Sequence, residues 1–232
     1  MFAPLSMFIL VLASLTTVRG LALPDAPVHE LAKRVVYNCT DSTKLAAITA
    51  AYTEGKVMAA DARNYIASHG ASDPLVKLYF GNDTSLIPRV SWTYNQIANE
   101  AGTNYTMVCD WDPSGLCASN SNQNAYNRRF WNTCTVNGVS TECNWRSQAV
   151  FCPLWYDRPV MSCSVDINSR FGSREDVMVH EMSHALGITH DHDGIKSCSS
   201  SRTLALNNAT AAVDNAQAYG CFVMEVYKTT RC

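Results

Sequence analysis

Charge, long apolar runs, paired cysteine spacings and histidines are all scarce in this 232-residue chain, and each shortage removes a class of function. Only 16% of residues are charged, and the 18 Lys and Arg nearly balance the 20 Asp and Glu. A surface that binds nucleic acid or an anionic membrane needs a basic excess to displace counterions, so neither is expected as a partner. The most apolar stretch runs from Met7 to Val18, too short to span a bilayer as a stable anchor. No C-x-x-C pair occurs among the ten cysteines, which removes the usual thiolate metal site. There is no internal repeat and no domain linker, and about 200 residues suit a single domain with its own core.

The Met7 to Val18 run is followed by small residues around Gly20 to Ala22, the pattern of a secretory signal. A buried N-terminal helix is the competing reading, and the next segment argues against it. Leu23 to Arg34 is short, carries proline and ends in the dibasic pair Lys33-Arg34. The expected organisation is therefore a signal peptide over 1–20, a propeptide over 21–34 and one domain over 35–232. Removing Arg19, Lys33 and Arg34 leaves 15 of the 18 basic residues in that domain, and removing Asp25 and Glu30 leaves 18 of the 20 acidic ones. All ten cysteines fall within it, an even number in a chain that reads as secreted, so five disulfides are expected. Asn38, Asn82, Asn104 and Asn208 each head an N-x-S/T sequon and are candidate glycosylation sites.

Only six histidines are present, and His180, His184, His190 and His192 lie within thirteen residues. His180-Glu181-Met182-Ser183-His184 is an H-E-x-x-H sequence. On a helix, residues i and i+4 stack on one face, so two imidazoles reach one metal ion while the intervening glutamate stands beside a metal-held water. That pattern makes Glu181 the candidate general base and one zinc ion the expected cofactor. Ser173 is placed as the helix N-cap, with Glu175 and Asp176 at the positive end of the helix dipole. Met178, Met182 and Ala185 form an apolar face opposite the histidines. Gly187 is expected to end the helix in a left-handed conformation and turn the chain back toward the metal.

The third ligand has four candidates in His190, Asp191, His192 and Asp193, because imidazole and carboxylate are both ordinary zinc ligands. Gly187 and His190 complete H-E-x-x-H-x-x-G-x-x-H, the metzincin spacing. His190 is thus the first choice and Asp193 the second.

Helical spacing predicts helices over Ser42 to His69, Pro74 to Phe80 and Arg89 to Glu100, and a final one over Thr203 to Lys228 interrupted by Gly220. Between Thr106 and Cys163 the pattern turns to short strands, at Tyr105 to Asp110, Thr135 to Val139 and Ala149 to Cys152. Asn137-Gly138 between Val136 and Val139 is a two-residue hairpin signal, and Cys134 and Cys143 flank it as a possible staple. The Asn- and Ser-rich surroundings, Ser119 to Gln148, read as an exposed disulfide-tethered loop, with a substrate-contacting flap as the sharper alternative.

These residues together resemble the deuterolysin, or aspzincin, family of secreted fungal zinc endopeptidases. The resemblance rests on Cys39 before a long helix, Leu78-Tyr79-Phe80-Gly81, the Cys109-Asp110 to Cys117 segment and Phe151-Cys152-Pro153-Leu154-Trp155-Tyr156. His180-Glu181-Met182-Ser183-His184, the Asn207-Asn208-Ala209 to Ala218-Tyr219 stretch and Cys232 complete it. It implies an α+β, zincin-like metalloprotease fold, mostly helical with a small antiparallel sheet, stapled by disulfides into one domain. It also implies the pairs Cys39–Cys109, Cys117–Cys152 and Cys163–Cys232, which leaves Cys134–Cys143 and Cys198–Cys221 as extras. That family takes its third ligand from an aspartate in a G-T-x-x-D-x-x-Y-G segment, where this chain has Thr189-His190-Asp191-His192-Asp193-Gly194. Asp193 stands at a similar spacing, but the family's oxyanion-stabilising tyrosine has no clear counterpart. Tyr219 reads as a core residue, and Met224 sits in an apolar helical run rather than a metzincin-like turn.

The expectation is a secreted, monomeric zinc metalloendopeptidase acting on protein or peptide substrates. Two alternatives use the same scaffold. One is a zinc-scavenging protein like certain yeast surface antigens, which resemble deuterolysins but carry arginine where this chain has Glu181. The other is a host-directed binding protein that uses the Asn-rich hairpin as its contact surface.

Overall fold

The computed structural model describes residues 36–100, 105–136, 139–168 and 172–232. The expected signal peptide and propeptide, and the sequon residue Asn104, lie outside them. So do the side chains of Cys134 and Cys143.

A 28-residue helix, α1 (Ser42–His69), opens the domain. Asp41 caps it by accepting from Thr43 N at 2.8 Å and Lys44 N at 3.1 Å, which satisfies amide donors that the first turn leaves unpaired. α2 (Pro74–Phe80) and α3 (Ile87–Ala98) follow, each with proline in its first turn, where the missing N–H costs nothing. A short α4 (Leu116–Ser119) leads into the sheet, and α5 (Pro153–Tyr156) leaves it.

The sheet has four strands, β1 (Val36–Asn38), β2 (Tyr105–Val108), β3 (Ala125–Val136) and β4 (Val139–Phe151), in the order β1-β2-β4-β3. The β3–β4 pair is antiparallel, with Val136 opposite Val139, while β1–β2 and β2–β4 run parallel. The sheet is therefore mixed rather than wholly antiparallel, because the long helical excursion between β1 and β2 gives the chain length that a parallel return requires. The Ser119 to Gln148 stretch is mostly the 12- and 13-residue strands of a hairpin, not a loop. Asn137 and Gly138, its turn signal, lie outside the described residues.

α6 (Arg174–Gly187) carries the H-E-x-x-H sequence and starts where expected, with Ser173 Oγ accepting from Asp176 N at 3.1 Å. Beyond it the single predicted C-terminal helix is three: α7 (Cys198–Asn207), α8 (Ala209–Asp214) and α9 (Ala216–Arg231). Asn208 and Asn215, in extended conformations, make the breaks; Asn208 ends α7 and caps α8 by accepting from Ala211 N at 3.0 Å. Gly220, the expected interruption, instead lies inside α9. A Cβ there would come within 2.7 Å of the Asp176 carbonyl oxygen, so the glycine lets α9 press against α6.

α6 packs on α1, α3 and α9 and against the edge strand β3. Met178, Val179, Met182 and Ala185 are fully buried on its inner face. Beneath lies an aromatic cluster in which Phe80 and Tyr94 contact each other and both Tyr219 and Phe222, with ring centroids 5.2 to 6.5 Å apart. Such edge and offset contacts add about 0.5–1.5 kcal/mol each beyond the area they bury. Disulfides Cys39–Cys109, Cys117–Cys152, Cys163–Cys232 and Cys198–Cys221 staple the elements together.

Candidate metal centre

Four residues apart on α6, His180 and His184 bring their Nε2 atoms to 3.1 Å. Asp191, from the loop after the helix, places Oδ1 at 3.2 Å from the first and 3.3 Å from the second. An ion bonded tetrahedrally at 2.0–2.2 Å holds its ligands about 3.3–3.5 Å apart. The three donors already stand near that spacing, and all lie within 4.8 Å of one another. Desolvation raises the Asp191 pKa, but hydrogen bonds and charge from both imidazoles outweigh it and hold the carboxyl well below its usual range. The donor set of two imidazoles and one carboxylate suits zinc.

The His184 imidazole is held in a metal-ready orientation. Thr189 O lies 2.9 Å from His184 Nδ1; a carbonyl only accepts, so Nδ1 carries a proton and Nε2 is the nitrogen left to bind a metal. Arg129 Nη2 donates to the carbonyls of His184 and Thr189, both at 2.7 Å, tying the end of α6 to the following loop. Two residues earlier on the same face of β3, Asn127 Nδ2 donates to Glu181 O at 3.3 Å. Strand period places both side chains toward the helix. The backbone signals available in the sequence, an Asn and an Arg in a polar strand, did not distinguish these two from their neighbours.

Glu181 is 3% exposed, and its Oε2 has no hydrogen-bond partner among the described residues. Burial pushes its pKa up to about 8; His184 pulls it down and Asp191 pushes it further up. A buried carboxylate oxygen beside a ligand triad, with its lone pairs uncommitted, is what a proton acceptor for a bound water needs.

Neither expected third ligand joins the pair. His190 turns away, its Nδ1 2.9 Å from Asp214 Oδ2, and His192 Nε2 lies 3.5 Å from the same oxygen. Asp193 sits in the turn before Gly194 and lines the cleft without entering the donor group. The reason is the turn out of α6. Gly187 is the last helical residue, and the left-handed position falls on Ile188, φ 54° and ψ 43°. Gly187 is needed for room instead, because a Cβ there would lie 2.3 Å from Thr93 Cγ2. Tyr219 is core, as expected, donating its hydroxyl to Val213 O at 2.9 Å. Met224, buried within α9, lines the floor of the cleft.

The centre opens into a cleft of about 420 Å³. Its walls are polar, including Asn124, Arg158, Asp176, Lys196 and Gln217.

The disulfide-stapled α+β domain with a helix-borne histidine pair has a counterpart of known fold. A solved structure described as "zinc peptidase from Grifola frondosa" is similar, with a TM-score of 0.56 and 20% sequence identity over 80% of this chain and 96% of that one. No curated protein sequence matches. Residues 25–231 match the family HRXXH, described as "Putative peptidase family", and the chain belongs to that family. In one-letter code the family's label places arginine between the histidines, where this chain has Glu181.

Proposed function

We propose that the protein is a secreted zinc endopeptidase, with zinc held by His180, His184 and Asp191 and with Glu181 as general base. Membership of a peptidase family and the shared fold support hydrolysis of peptide bonds; the observation that carries the finer reading is the buried, uncommitted Glu181 Oε2 beside the three-donor group. A bound zinc ion supplies Lewis acidity and brings the pKa of water toward about 7. Glu181 would accept the water proton and deliver it to the leaving amine. Thr189 and Arg129 keep His184 in the ligating tautomer throughout.

Secretion through an oxidising compartment is supported by the four described disulfides and the N-terminal apolar run. No described helix is long and apolar enough to cross a membrane. Asn38, Asn82 and Asn208 are exposed, as glycan attachment requires. We read the protein as a monomer that acts on protein or peptide substrates.

A zinc-binding protein without hydrolytic activity is the second reading, favoured by the arginine in the family's label. Degradation of an unfolded protein substrate by the zinc-loaded protein and by Glu181→Gln separates the two. We expect both to hold one zinc and only the wild type to cleave, with the variant down by at least about a hundredfold, the usual scale of a general base. Equal inactivity with zinc bound selects the carrier; equal activity removes Glu181 from the chemistry.

A further inference from the structure

We propose that Asp214 is a positioning residue that selects which member of the Thr189-His190-Asp191-His192-Asp193 segment faces the histidine pair. The inference rests on the zinc reading above. Asp214 ends α8, and its Oδ1 accepts from Arg89 Nη2 of α3 at 2.9 Å, which fixes the carboxylate to the helical layer. Its Oδ2 accepts from His190 Nδ1 at 2.9 Å and stands 3.5 Å from His192 Nε2. The backbone reinforces this hold. His190 N donates to Asp214 O at 2.7 Å, and Ala216 N donates to His190 O at 3.0 Å, so His190 forms a one-residue parallel bridge with Asn215.

Side chains of an extended segment alternate in direction. With His190 held on Asp214 by both side chain and backbone, its neighbour Asp191 points the other way, where its Oδ1 meets His180 and His184. A slip of one residue reverses every direction. It would offer histidine to the metal and set Asp191 or Asp193 against Asp214, carboxylate against carboxylate. The negative charge of Asp214 therefore attracts His190, which faces away from the pair, and repels the carboxylates that a slip would put in its place. This also explains why the H-x-x-G-x-x-H spacing, complete in this sequence, does not deliver His190 to the histidine pair.

The test counts imidazole ligands on the zinc-loaded full chain by X-ray absorption, together with zinc affinity by chelator competition. The variants are Asp214→Asn, Asp214→Ser and the charge-preserving Asp214→Glu, each checked for folding by circular dichroism. Wild type and Asp214→Glu are expected to show two imidazoles. Asp214→Asn or Asp214→Ser, whichever folds, is expected to show more than two, with zinc affinity reduced by about 10–100-fold, the scale of lost outer-shell support. A count that stays at two in a folded neutral variant overturns the selection, whatever happens to affinity. Asp191→Ala separates this from the parent reading. If that variant binds zinc as tightly as wild type, or wild type itself shows three imidazoles, the ligand set proposed above fails. If Asp191→Ala loses zinc while a folded Asp214→Asn or Asp214→Ser still shows two imidazoles, the present inference alone fails.

Discussion

Replacing Gly187 with alanine adds one methyl group at the most crowded point between the metal helix and the helical layer. The new Cβ would sit 2.3 Å from Thr93 Cγ2, 3.0 Å from its Oγ1 and 3.2 Å from its Cβ, against an ordinary carbon–carbon contact of about 3.5–4.0 Å. Thr93 is fully buried on α3, in a close-packed interior that leaves little room to swing aside. The two helices must therefore move apart by about 1 Å. Overpacking of this kind costs about 1–3 kcal/mol. Alanine recovers up to about 1 kcal/mol of helix propensity relative to glycine, less at a helix end. The net expectation is a loss of about 1–2 kcal/mol, or about 2–8 °C in Tm for a domain of this size. Because α6 carries His180 and His184, zinc affinity should fall as well. Thr93→Ser removes the methyl responsible for the 2.3 Å contact, so the double variant should recover most of the loss. Urea denaturation of the four proteins of the cycle measures it, with a coupling of about 0.5–3 kcal/mol expected for touching residues. If Gly187→Ala is as stable as wild type, or if Thr93→Ser alone and in combination cost the same, the close approach does not explain this glycine.

Two further predictions concern strain and charge. Ile188, 47% exposed, holds a β-branched residue in the left-handed region, which costs about 1–2 kcal/mol. Ile188→Gly gives back about 0.5–1 kcal/mol in chain entropy, so the metal-free protein should gain a little, about 1–4 °C in Tm; a fall by calorimetry would mean the position is unstrained. Asp176 is 4% exposed, and burial pushes its pKa up to about 7, with Arg158 and His180 pulling it back. A carboxyl whose folded pKa lies above its unfolded one holds its proton longer when folded. Stability is thus highest below about pH 4 as far as this group is concerned and is lost as pH rises through 7. Asp176→Asn should flatten that loss, by at most about 4 kcal/mol. Urea midpoints of both proteins at pH 4 and pH 8 in chelator check it, and parallel pH profiles would refute it.

Several features were legible from local pattern because local physics fixes them. Ser173 caps α6, and His180 and His184 share a face, for reasons contained within one helical repeat. The burial of Tyr219 followed from apolar spacing alone. Where a single C-terminal helix was expected, Asn208 and Asn215 break it, because an asparagine that caps a new helix or bridges to another loop competes with helix continuation. Gly187 and Gly220 read as breakers because composition cannot distinguish a glycine needed for its torsion angles from one needed for its size. The distinction appears only when Thr93 and the Asp176 carbonyl are in place.

By itself, then, the sequence determined the helix that presents two imidazoles and a glutamate, while the cysteine pairs came only from the family resemblance. It left four candidates for the third donor, since each had the right chemistry and lay within reach. Tertiary structure sets one of them, Asp191, beside the pair. Ile188 takes the turn, Asp214 captures His190 and approaches His192, and Asp191 is left facing the pair. An extended segment has no intrinsic preference for which alternate set of side chains faces which way. That choice is made by Asp214, a residue 23 positions beyond Asp191 in the chain, and so it becomes readable only when the fold brings them together.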